Sequence, residues 1–170
     1  MTIFTLIVFA TIFIFGYKAI NAIVKQGDEA SFVQFKTDVE KAVRRVARDV
    51  DSVVIHNAKN PLRVPGKYGH VCFVDVDQPP VVPCPSELGL IACDTWKTAF
   101  EQSDRNPLTT DAWERADSNV FVDPAGFFPV KTTPIHLKNN RGYICIATPG
   151  RLDMRLTGKG SYTLVSALEG

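Results

Sequence analysis

The sequence predicts an α+β fold: a long N-terminal α-helix packed on a small antiparallel β-rich head. Three observations carry that expectation. Residues 3–17 contain no charged side chain. Residues 31–54 show an apolar stripe at three- and four-residue spacing, and no proline interrupts the chain before Pro61. Beyond Asn60-Pro61 the apolar pattern changes to period two, the signature of strands.

The first element is a stem over residues 1–27, rich in large apolar side chains: Ile3, Phe4, Leu6, Ile7, Phe9, Ile12, Phe13, Phe15 and Tyr17. A core of this size has no need of such a run, so it must be solvated by lipid, solvated by other copies, or removed. No basic residue precedes Lys18, and Ile20-Asn21-Ala22 is a poor cleavage site, so a cleaved secretory signal is not expected. As a membrane helix the run is short. Fifteen uncharged residues span about 22 Å, against a hydrocarbon core of about 30 Å. Continuation to Val24 reaches that thickness only if Lys18 snorkels. The nearby basic residues all follow the run, which by the positive-inside rule would hold the rest of the chain in the cytoplasm, although that part carries the cysteines. A basic leader ahead of Met1, removed after insertion, would resolve the conflict.

The second element is an amphipathic helix, read over residues 28–55. Phe32, Phe35, Val39, Val43 and Val46 form the face expected to pack on the head, and Lys36, Glu40, Lys41, Arg44, Arg45 and Arg48 the solvated one. Gly27 sits where stem and amphipathic part meet. Glycine weakens a helix interior by about 1 kcal/mol, so a bend or loosened turn is expected at Gln26-Gly27-Asp28.

The β-rich region is read over residues 62–170. Residues 70–76 alternate and are β-branched, a strand. Residues 78–85 form a proline-rich loop that no central ladder accepts. A short helix is expected over 94–102 with Trp96 and Phe100 inward, and a capping-box turn at Asp111-Ala112-Trp113-Glu114. Strands follow at 119–122 and 127–130. Residues 134–137 and 143–148 are expected to pair as a hairpin across Lys138–Gly142. Leu152, Met154 and Leu156 alternate with polar residues in a half-exposed strand, and 162–166 form the last one.

Composition narrows the function. At 170 residues the chain supports one domain and an appendage, and 22% charged with 45% apolar residues is a globular balance. Nineteen basic against 18 acidic residues leave no nucleic-acid footprint. No Cys-x-x-Cys, Glu-x-x-His or Gly-x-Ser-x-Gly pattern occurs, so no metal, cofactor or catalytic residue is read and the chain is not expected to be an enzyme. His56, His70 and His136 read as structural or surface histidines. Asp75 and Asp77 read as the solvated face of an edge strand, too few oxygens for calcium. Lys159 belongs to a turn at Gly158-Lys159-Gly160 rather than a phosphate loop. Cys84 and Cys93 are the expected disulfide, stapling the proline-rich loop with about 2–3 kcal/mol. Cys72 and Cys145 lie mid-strand, either buried thiols or a pair on adjacent strands.

A hydrophobic N-terminal helix that runs into an amphipathic helix and then into a small β-rich head resembles the type IV pilin superfamily. The resemblance covers the whole chain and draws its specificity from about the first 55 residues. Within the superfamily, residues 70–76 and 152–164 look like head segments of archaeal pilins and pilin-like surface proteins. Two departures stand out: Thr5 occupies the fifth position, where bacterial pilins carry a glutamate, and the leader ending in a basic residue and glycine is absent. The resemblance implies insertion in the membrane, leader removal and extraction by an assembly machinery. It then implies homopolymerisation into an extracellular filament at the cell surface. The alternative is a single-pass membrane-anchored surface binding protein that does not polymerise.

Overall fold

The computed structural model describes residues 2–104, 111–126, 128–139, 141–148 and 150–168, with side chains from Phe9 onward except Ala10. The fold is α+β, built from a long N-terminal helix and antiparallel-rich sheets. Helix α1 runs from Thr2 to Arg48 without a break, 47 residues or about 70 Å. It passes through Gln26-Gly27-Asp28 as regular helix, where Ser31 Oγ donates to Gly27 O at 2.8 Å. Arg45 and Arg48 occupy its last turn, where the helix dipole favours cations.

The helix ends at Arg48 rather than near residue 55. Val50 and Val53 keep the apolar spacing of the stripe, but Val50 lies beyond the helix end and Val53 opens strand β1 (Val53–His56). Asp51, at φ 59°, turns the chain through the left-handed region. Ser52 Oγ donates to Asp49 O at 2.8 Å, and the Asp51 amide to Gly158 O at 2.9 Å. The helix is therefore terminated by a strand that lies a hundred residues further along the chain, which local propensity does not encode.

Beyond β1 come β2 (Leu62–Arg63), β3 (His70–Val74), α2 (Leu90–Asp104), α3 (Ala112–Arg115) and β4 (Val120–Asp123). The chain closes with β5 (Ile135–Leu137), β6 (Tyr143–Ala147), β7 (Arg151–Leu152), β8 (Met154–Gly158) and β9 (Thr163–Ala167). The strands form a sheet of order β1-β8-β9-β5, a sheet of order β4-β3-β6, and the pair β2-β7. All pairings are antiparallel except β5 with β9, which is parallel. The head is thus antiparallel-rich rather than wholly antiparallel.

The expected hairpin of residues 134–137 with 143–148 does not form. β5 pairs with β9 and β6 with β3, so the turn between them joins two different sheets. The expected strand at 127–130 reduces to one bridge, Val120 with Val130, with Phe127 outside the described residues. The capping box at Asp111 is also absent: its side chain makes no cap hydrogen bond. Asp77 Oδ1 instead accepts the Trp113 amide at 3.1 Å, capping α3 from outside.

Two apolar clusters fill the head. In the first, Phe32, Phe35, Val39, Val43 and Val46 of α1 are buried together with Val71 and Phe73 of β3 and Met154, Leu156 and Val165 of β8 and β9. Thr163 Oγ1 donates to Val43 O at 3.1 Å, so strand and helix are also hydrogen-bonded. Gly126 lies so close to the Phe32 ring that a Cβ there would overlap it. The second cluster packs Trp96 and Ala92 of α2 against Cys72, Val74 and Val76. Trp96 Nε1 donates to Gln78 O at 2.9 Å and Trp113 Nε1 to Thr132 O at 2.9 Å, so both tryptophans anchor loops to the core.

Candidate self-association surface

The most unusual surface is on α1 itself. Every described side chain from Phe9 to Gly27 is exposed, and Phe32 is the first fully buried one. Phe13 is 72% exposed, Tyr17 69%, Phe15 68% and Ile23 68%. Phe9, Ile12, Ile14, Ile20 and Val24 are also exposed. The stem leaves the head at Asp28, whose carboxylate meets Lys67 Nζ at 3.4 Å. From Thr2 to Gly27 it extends about 39 Å at 1.5 Å per residue.

Ile3, Phe4, Leu6 and Ile7 lie where only the helical backbone is described. Among the described residues no helix is long and apolar enough to cross a membrane. The stem exposes its apolar side chains on all sides rather than along one stripe: Phe9 and Phe13 lie one turn apart on one flank, Ile14 and Phe15 on the opposite one. A surface of this kind is larger than a soluble monomer ordinarily leaves in water.

On the head, two disulfides are present. Cys72 and Cys145 are directly opposed in the β3–β6 ladder and joined. Cys84 is joined to Cys93, which fastens the proline-rich loop to the first turn of α2. The basic cluster Lys41, Arg44, Arg45 and Arg48 is exposed on the outer face of α1.

Asp75 corrects the expectation of a solvated edge. β3 is the central strand of its sheet, and Asp75, just past its end, is fully buried. His136 Nδ1 lies 2.8 Å from Asp75 Oδ2, and Gln78 Nε2 donates to the same oxygen at 3.0 Å. The His136 ring meets Tyr162 edge-on, with centroids 4.4 Å apart. This latch joins β5 to the end of β3. Its members are 61 residues apart, so no local motif announces it. The only sequence signal was a carboxylate in an otherwise apolar run.

His136 and Asp77 border a depression of about 460 Å³ with Asp104 and Asp111. Asp77 is exposed overall, yet its carboxylate stands in this depression. Loss of water raises its pKa against the opposing Trp113 hydrogen bond, with Asp75 and Asp111 adding to the rise. Among the described residues no group of three or more His, Cys, Asp or Glu is placed to hold a metal ion.

A larger groove of about 640 Å³ opens between the start of α2, β4 and the loop after it. Phe32 of α1 lies among its lining residues, and Leu90 and Ile91 stand exposed at its mouth. No sequence pattern marked it, because three separate segments build it.

No family model, no curated protein and no solved structure matches this chain.

Proposed function

We propose that the chain is the structural subunit of an extracellular type IV pilus-like filament that polymerises through its N-terminal helix. The observation that carries this reading is the stem: an unbroken helix whose large apolar side chains from Phe9 to Val24 are all exposed. Burying one such side chain contributes about 1.5–3 kcal/mol, so partial burial of nine is on the order of 10 kcal/mol per subunit. Association costs of about 4–15 kcal/mol take up much of this, and contacts to several neighbours are needed for a stable polymer. Thr11, Gly16, Ala19 and Ala22 supply small positions at which helices approach closely. The lipid bilayer is the stem's solvent before assembly, and neighbouring stems its solvent afterwards.

In this reading the heads face outward and the disulfides protect them at the cell surface, where oxidised cysteines persist. An assembly machinery is the implied partner, with no cofactor and no nucleic acid.

The double substitution Phe9→Asp, Phe13→Asp tests the reading. The expected result is loss of sedimentable polymer by at least about a hundredfold, with the head's circular dichroism and thermal transition unchanged. Two charges buried among stems cost several kcal/mol per subunit. In a plain anchor the same variant would fail to insert or would be released, and the wild-type chain would form no polymer for it to lose.

A further inference from the structure

We infer that the groove between α2 and β4 is the seat of the stem of a second copy of this chain. The inference rests on the filament reading and adds where on the head a neighbouring stem binds. The groove is mostly apolar, walled by Leu88, Leu90, Phe121, Val122 and Phe128. At about 640 Å³ it admits a ridge of side chains from a helix. Among the described residues only two charged ones line it, Asp117 and Asp123, and both are acidic and exposed. Among the described residues neither enters an ion pair.

The stem carries the complementary pattern. Between Phe9 and Gly27 its only charged residues are Lys18 and Lys25, both basic, both exposed, and likewise without an ion pair among the described residues. A spacing of seven places them on one face, about 10.5 Å apart. Ile14, Phe15 and Ala22 lie within a turn of Lys18 on that face. The stem thus offers apolar side chains flanked by two cations to an apolar groove flanked by two anions.

The occupant has to come from another copy. Phe32 of the same helix already lines the groove, and none of the described stem residues does. The chain's own stem is therefore outside the groove, and its described side chains from Phe9 to Gly27 are exposed. Stem into groove is a head-to-tail contact that leaves one stem and one groove unoccupied at the two ends, the condition for an open polymer.

The test uses the full chain with a benzophenone amino acid at Ile91, assembled as an equal mixture of ¹⁴N and ¹⁵N protein and illuminated. Mixed-isotope cross-links from position 91 to residues 9–25 are expected. Asp117→Lys with Asp123→Lys should lower polymer yield roughly tenfold, and Lys18→Glu with Lys25→Glu in the same chain should restore it. Near-UV circular dichroism checks that the exposed substitutions leave the head folded. The inference is overturned if wild-type polymer forms while position 91 cross-links elsewhere. It is equally overturned if the lysine pair polymerises like wild type. Either result leaves stem-driven polymerisation standing. If the unmodified chain never sediments, the filament reading fails and the groove assignment with it.

Discussion

Replacing Gly158 by valine should cost the head about 3–5 kcal/mol, enough to leave much of the protein unfolded at 37 °C. Gly158 ends β8 where the sheet passes under the C-terminus of α1. A Cβ at this position would run into Val46 O and Asp49 O, and Ser52 Oγ stands 2.9 Å away. The two carbonyls are backbone atoms of the helix end, so they cannot rotate aside as a side chain would. The same residue exchanges two backbone hydrogen bonds with the turn after α1, Asp51 N to Gly158 O and Gly158 N to Ser52 O, each 2.9 Å. Making room for the side chain separates the helix from the strand and breaks both. Urea unfolding measures the effect. Gly66→Val is the control, because a Cβ there meets nothing within 4 Å. A Gly158→Val unfolding free energy within about 1 kcal/mol of wild type would contradict this account of the junction.

The second large effect is removal of the bond between β3 and β6. Cys72 and Cys145 are 73 residues apart, and Cys84 and Cys93 are 9 apart. In the chain-entropy account closing the longer loop contributes about 4.4 kcal/mol and the shorter about 2.6 kcal/mol. Cys72→Ala with Cys145→Ala should therefore lower the urea midpoint further than Cys84→Ala with Cys93→Ala. The position of Cys72, in the central strand of its sheet and against the Trp96 cluster, adds lost packing to the first figure. The reverse order would mean that the proline-rich loop, not the ladder, holds this side of the head.

These two sites show how far a sequence of this kind can be read. The long helix itself was legible: the spacing of Phe32, Phe35, Val39, Val43 and Val46 is a local signal of period near 3.6. The end of α1 was not, because Val50 and Val53 fit the stripe equally well, and a β-branched residue there serves a helix face or a strand. What decides is Asp51 in the left-handed region and the Gly158 backbone a hundred residues away. The strands at 70–76, 143–148 and 152–166 were legible by alternation, but their partners were not. The segment between β5 and β6 connects two sheets instead of closing a hairpin, and the registers of β5 on β9 and of β6 on β3 show this. The burial of Asp75 is not legible locally, because exposure depends on whether its strand is central, a property of the sheet. The disulfide of Cys84 and Cys93 followed from short spacing, while that of Cys72 and Cys145 needed the β3–β6 register to be chosen over buried thiols.

The stem is where the sequence said most, since a run of large apolar residues at the end of a helix calls for a solvent other than water. Its exposure in the folded chain sharpens that demand without naming the solvent. The most direct measurement is negative-stain microscopy of material sheared from the cell surface, labelled with antibody against the head. The account predicts thin filaments decorated along their whole length. Recovery of the protein wholly in the membrane fraction, with no filament labelled, would contradict it.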